Sequence, residues 1–153
     1  FNNSSHAGEV EPGASTWQPR PAYYYMYYFQ KYFGDRMVAS TVTGSSSILS
    51  YASMFSSGQA GDILVNTSSS DQTVTIGINN FIPGTNYYYY VLQGGSEATF
   101  SRKVLINGSG PTGASGGPAN FQGIPAIAGE QKGGINVVVP AYGVVFGGAD
   151  CSI

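Results

Sequence analysis

The sequence predicts a mainly β fold, an antiparallel β-sandwich of about 8 strands preceded by one aromatic α-helix. Three observations carry that reading. Only the stretch Pro21–Asp35 is long and apolar enough to form a helix without an internal breaker. From Met37 onward the apolar residues fall in short runs with β-type alternation. Turn signals then recur at fairly even intervals, at Ser56-Ser57-Gly58, Ser68 to Asp71, Pro83-Gly84, Gly94-Gly95 and Asn107 through Pro118.

Residues 1–20 lack periodicity, hold Gly8, Pro12, Gly13 and Pro19, and are expected to form a loop. Pro21 suits the first turn of a helix, where its missing N–H costs nothing. The helix should run to about Phe33 and end on a glycine cap at Gly34, giving a helical segment 21–34. Tyr25, Tyr28, Phe29 and Tyr32 fall at i, i+3, i+4 and i+7 on one face, while Tyr23, Tyr24 and Tyr27 cover other sides. A helix this aromatic needs partners on more than one face, and no covering surface is obvious in the chain.

The sandwich should occupy residues 37–153. Expected strands are Met37–Val42, Ser47–Phe55, Asp62–Asn66, Gln72–Ile78, Tyr87–Gln93, Arg102–Asn107, Ile135–Val139 and Gly143–Phe146. Gln72–Ile78 alternates cleanly, with Val74, Ile76 and Ile78 on one face and Thr73 and Thr75 on the other. Pro140 should end or interrupt pairing between the last two strands. Gly108–Pro118 reads as a long loop, and no internal repeat is present.

Composition narrows the function. At 153 residues the chain suits one domain. Charged residues are only 9%, against about 25% in an ordinary domain, so the surface must be built from neutral polar groups. A hydrophobic content of 42% argues against disorder. Six Lys and Arg, scattered without a basic stripe, argue against nucleic-acid binding. No apolar run reaches the roughly 20 residues of a membrane span. The start at Phe1, without a signal peptide, predicts a mature, cleaved or truncated product. Asn2, Asn3, Asn66 and Asn107 each open an Asn-x-Ser/Thr pattern, which makes them glycosylation candidates and favours an extracellular setting. Cys151 is the one cysteine, either a free thiol or a disulfide candidate whose partner lies elsewhere.

Catalytic chemistry is hard to find. His6 is the one histidine, and no Gly-x-Ser-x-Gly elbow accompanies it. One His and one Cys give no zinc spacing, and Asp71 sits in a turn rather than a calcium loop, so neither metal nor cofactor is expected. Gly113–Gly117 precedes no helix and offers no phosphate cradle. Glycoside hydrolysis needs two carboxylates about 5–10 Å apart. Glu9 and Glu11 lie in the expected loop, Asp35 sits beside Arg36, and no catalytic pair emerges. Aromatic rings offer sugar stacking instead. Trp17 is one candidate, with packing over the helix as the plainer alternative. In Tyr87–Tyr90, strand alternation should turn at least one pair outward, so Tyr88 and Tyr90 are carbohydrate-contact candidates.

The segment Pro19–Val38, Pro-Arg-Pro-Ala-Tyr-Tyr-Tyr-Met-Tyr-Tyr-Phe-Gln-Lys-Tyr-Phe-Gly-Asp-Arg-Met-Val, resembles the last helix of the (β/α)₈ barrel in secreted glycoside hydrolases. These are the arabinofuranosidase, xylosidase, agarase and heparanase-like β-glucuronidase kinds. There the helix leads into a C-terminal β-sandwich packed on the barrel. Asp62–Asn66, Lys103–Gly108 and Ile135–Phe146 are similar to strands of that sandwich, with Val-Pro-Ala-Tyr-Gly-Val-Val-Phe like its final strand pair. The resemblance covers about residues 17–147. It implies a polysaccharide-cleaving parent whose catalytic glutamates sit on earlier barrel strands, at no position of this chain. It also implies one helix side on the barrel and another on the sandwich, with Cys151 paired to an upstream cysteine.

Tyr24, Tyr25, Tyr28, Phe29 and Tyr32 are then the expected interface. The partner is a missing N-terminal barrel segment or identical subunits, with polysaccharide as a further ligand. Two other roles fit the composition: a structural subunit of an extracellular fibre or coat assembling through the helix, and a carbohydrate-binding module.

Overall fold

A computed structural model describes residues 8–10, 17–79, 86–95, 101–113, 115–130 and 134–149. Gly8–Val10 (β1) and Trp17–Pro19 (β2) pair antiparallel, so the expected N-terminal loop contains a small two-stranded ladder. Pairs of three residues are too short to carry a readable alternation.

The helix α1 is Pro21–Tyr32, with Pro21 in its first turn as expected. Its end differs from the expectation. Phe33 is the cap, in extended conformation, and its N–H donates to Phe29 O at 2.9 Å. Gly34 does not take the left-handed conformation. It is needed because a side chain there would collide with the Met54 carbonyl, and its N–H donates to Ser53 Oγ at 2.8 Å.

The remaining strands are β3 (Arg36–Val38), β4 (Ile48–Met54), β5 (Ala60–Asn66), β6 (Gln72–Ile76), β7 (Asn86–Gly94), β8 (Val104–Ile106), β9 (Ile127–Glu130), β10 (Ile135–Val139) and β11 (Val144–Ala149). A short 3₁₀ turn, Phe121–Gly123, precedes β9. The main sheet runs β3-β4-β5-β11-β7, and β7 divides its outer edge between two partners. Its first half pairs with β9 and its last residues with β8. All these pairings are antiparallel. The second sheet is the pair β10-β6, registered Ile135↔Ile76 through Val139↔Gln72. Strand β9, with a glycine at its centre and only four residues, has no sequence signature strong enough to predict it.

Alternation along the central strands sorts residues into two cores. Ile63, Tyr90, Leu92 and Phe146 join Tyr24 and Tyr28 of the helix. Leu64, Tyr87 and Val145 join Ile135, Val137 and Val139 of the second sheet. Strands covered on both faces read as near-continuous apolar runs, as Ile63-Leu64-Val65 of β5 does. The final two strands do not pair with each other. After Val139 the chain passes from one sheet to the other through Pro140–Gly143, so Pro140 marks a sheet switch rather than an interrupted ladder.

Bare backbone lets the helix lie close to the main sheet. A Cβ built on Gly61 of β5 would penetrate the Tyr32 carbonyl, and one on Gly117 would lie 2.6 Å from the Tyr24 ring. Replacing Gly61 with Ala is therefore expected to destabilise the fold by about 1–3 kcal/mol, as overpacking does. A lowered urea midpoint at unchanged slope would register it.

Candidate interface on the aromatic helix

A 12-residue helix turns its residues through about 100° each, so Tyr24 and Tyr28 share the inward face. Tyr28 stacks at a tilt on Tyr90, ring centroids 4.8 Å apart, and lies 6.0 Å from Phe146. Phe121, delivered by the 3₁₀ turn, meets Tyr24 and Tyr27 edge-on at 5.1 and 5.0 Å. Edge-to-face geometry sets the positive ring edge against the negative ring face. The phenols inside this layer are anchored: Tyr90 donates to Ile124 O at 2.7 Å and Tyr28 to Phe121 O at 3.4 Å. Burial pushes the ionisation of Tyr24, Tyr25, Tyr28 and Tyr90 upward, so all stay neutral hydrogen-bonding groups near pH 7.

The opposite face is open. Tyr23, Met26 and Phe29 stand at i, i+3 and i+6, and Met26 and Phe29 are each 51% exposed. Phe33 stacks on Phe29 at 5.0 Å and extends that surface. Lys31, the one charged residue of the helix, holds its ammonium 5.9–6.0 Å from the rings of Tyr27, Tyr32 and Tyr90. The same side of the main sheet adds Met37, Leu49 and Tyr51, all exposed. Their register partners are Ser53, Val65 and Ile63, and Val65 and Ile63 belong to the helix-side core, which fixes the face. One exposed apolar residue is ordinary; six on one side mark an interaction surface.

Several expected site residues fall elsewhere. Tyr24 and Tyr28 are not available to another polypeptide, because the chain covers them itself, Tyr28 with Tyr90 and Phe146 of the sheet and Tyr24 with Gly117 and Phe121. Tyr25 and Tyr32 are half-buried, and only Phe29 of the expected interface set is openly exposed. Tyr90 is 6% exposed and cannot serve as a sugar platform. Tyr88 is half-buried. The expected outward tyrosine pair is absent from β7 because both faces of its sheet are covered. The side chain of Trp17, together with Asn2, Asn3, His6, Glu11 and Cys151, lies outside the described residues.

Asn66 is a structural hub rather than an open glycan acceptor. It is 1% exposed, and its Nδ2 donates to Ser70 O at 2.8 Å and Val139 O at 3.1 Å. Its Oδ1 accepts from Ser68 N and Ser68 Oγ. Asn107 adopts φ 49° in the turn after β8. Its amide accepts from Val91 N at 2.8 Å and donates to Pro125 O at 3.0 Å.

The described aspartates are also engaged in the fold. Asp35 accepts from the backbone N and the hydroxyl of Ser56, which lowers its pKa. Asp71 accepts from Ala141 N at 3.0 Å, and Asp62 accepts from the Tyr87 hydroxyl at 2.8 Å. Among the described residues no group of three His, Cys, Asp or Glu could hold a metal ion, and no helix is long and apolar enough to cross a membrane.

The same fold occurs within solved glycoside hydrolases. No protein-family model matches the chain, and no curated protein matches it either. Among solved structures it is similar to the thermostable GH51 α-L-arabinofuranosidase of Thermotoga petrophila RKU-1, at 10% identity and TM-score 0.60 over 90% of this chain. It is similar to the glycoside hydrolase family 30 subfamily 8 xylanase of Clostridium acetobutylicum, at 18% identity and TM-score 0.54 over 87% of this chain. It is also similar to a bifunctional glucanase-xylanase from a metagenome library, at 16% identity and TM-score 0.55 over 88% of this chain. The chain spans 30%, 28% and 24% of those three proteins respectively. At such identities the likeness establishes a shared fold.

The exposed members of the surface were poorly legible in sequence. Met26, Met37, Leu49 and Tyr51 carry no motif, and helical spacing alone does not say which stripe meets the sheet.

Two outcomes test this geometry. Tyr28→Ala should cost about 3–5 kcal/mol of stability while Phe29→Ala stays within about 0.5 kcal/mol in denaturant titrations. Expressed in a glycosylating host, the folded chain should carry no sugar at Asn66 in peptide mass spectra.

Proposed function

We propose that this chain is a non-catalytic β-sandwich portion of an extracellular, polysaccharide-degrading glycoside hydrolase, with the open face of α1 packed on the catalytic barrel. The observation that carries this reading is the two-sided helix: its inner stripe is filled by the chain's own sheet, while Tyr23, Met26 and Phe29 remain exposed. A helix with apolar stripes on opposite sides has two surfaces to cover, so its outer stripe calls for a second apolar surface. The shared fold favours the partner. In each of the three glycoside hydrolases above this fold takes up less than a third of the chain. In this reading the sandwich supports a catalytic segment that supplies the carboxylate pair.

The experiment begins with the coding region upstream of Phe1, which should encode a barrel bearing two carboxylates at strand ends. In the full enzyme, Met26→Asp combined with Phe29→Asp should lower the melting temperature and the hydrolytic activity together. The same double substitution should leave the separate 153-residue chain almost as stable as before. An upstream region without such a segment would sink the proposal. So would a full enzyme indifferent to charge on that face.

A further inference from the structure

Asp62 sits on β5, on the face turned away from the helix, in a row with Ala52 of β4, Gly147 of β11 and Tyr89 of β7. Its carboxylate is buried. Oδ1 accepts the Tyr87 hydroxyl at 2.8 Å, and Oδ2 has no hydrogen-bond partner among the described residues. Tyr87 is itself 0% exposed. The hydroxyl reaches Asp62 across β11, and it passes directly over Gly147. A Cβ on Gly147 would overlap the Tyr87 hydroxyl and lie 2.9 Å from Asp62 Oδ1. The contact thus joins two strands that are not neighbours in the sheet, through space that only glycine leaves free.

An ionised carboxylate with one hydrogen bond and no cation is costly in such a place. The described strand residues on this face place no cation beside Asp62. Strand β11 contributes Val145, Gly147 and Ala149, and β10 contributes Ile135, Val137 and Val139. Strand β6 contributes Val74 and Ile76, and β4 contributes Ile48, Ser50, Ala52 and Met54, with the Ser50 hydroxyl bonded to Ser40 Oγ. From β7 come the ring of Tyr89 and the phenol of Tyr87, whose ionisation burial pushes upward. Arg36 shares the face by register but stands on β3, two strands away at the sheet edge, and is exposed. Burial therefore pushes the Asp62 carboxyl up to about 6, and the hydroxyl of Tyr87 offsets only part of that rise.

We propose that Asp62, held by Tyr87 across β11, makes the fold pH-sensitive: the folded chain is favoured while the carboxyl is neutral and loses stability as it ionises, and the Tyr87 hydrogen bond, stronger to the ionised form, limits that loss. The sign follows from linkage. The folded chain holds this proton more tightly than the unfolded chain, whose aspartate titrates near 3.8. The stability gained by holding this proton is fully present below pH of about 4 and is lost as pH rises through about 6. Above neutrality the unfolding equilibrium constant should be larger by about a hundredfold than the same chain would show with Asp62 held neutral.

Urea unfolding from pH 4 to 8 should be compared between the native chain and Asp62→Asn, whose neutral amide retains an acceptor for Tyr87. Other titrating groups contribute equally to both chains, so their difference isolates Asp62. The native chain is expected to lose about two powers of ten relative to Asp62→Asn between pH 4 and 7. A ¹³C titration of the Asp62 carboxyl in the native chain should centre near 6 and move higher in Tyr87→Phe, which removes the hydrogen bond to the ionised form. A carboxyl titrating at 4 or below, or matching pH profiles of the two chains, would overturn the proposal. If Asp62→Asn does not fold, the titration of the native chain decides alone.

Discussion

Helix α1 reaches the sheet because the backbone beneath it is bare. Tyr32 sits over Gly61 and beside Gly148, and Tyr24 sits on Gly117. An added methyl group at Gly61 or Gly117 would drive the helix outward. Aromatic residues are indifferent helix formers, so α1 depends on this contact more than on propensity. Close approach brings Tyr28 within ring contact of Tyr90 and Phe146, and burial of these large side chains supplies the stabilisation that α1 lacks alone. The glycine-rich composition is thus partly a packing requirement.

Covering the central sheet on both faces shapes everything else. Strand β7 can carry four consecutive tyrosines because each face of the strand finds an apolar layer. The layers differ in character. The helix side is aromatic, while the second sheet presents β-branched Val and Ile, which pack well on a pleated surface. Among the described residues the β3–β4 end of the helix side is open, and it is there that Met37, Leu49 and Tyr51 meet solvent. The surface proposed to meet a catalytic barrel is therefore what remains after the chain has filled its own cores.

Polar groups hold the two sheets in register with each other. Asn66, at the end of β5, ties the loop before β6 to the last residue of β10 with four hydrogen bonds inside a desolvated site. Such a fully satisfied amide strengthens in a low dielectric and specifies one arrangement. The adjoining turn places Tyr142 at φ 53°, an uncommon conformation for a bulky residue, and its N–H donates to Ser68 O at 3.0 Å. Asp62 is the counterexample in the same sheet, since one of its oxygens has no hydrogen-bond partner among the described residues.

Local chemistry determined much of this protein. Pro21 and the aromatic run set the helix, the alternation from Gln72 to Ile76 set a half-buried strand, and glycine-rich turns spaced the ladders. These features depend on neighbours along the chain, so they are legible in one dimension. The two-sided burial of β7, the covering of Tyr24 and Tyr28, the structural use of the Asn66 sequon and the meeting of Asp62 with Tyr87 were decided by tertiary structure. Each depends on which surfaces arrive from distant segments, and a tyrosine or an asparagine has the same local preferences whether buried or exposed. Burial is a property of the assembled layers, and it alone separates a core ring from an interface ring.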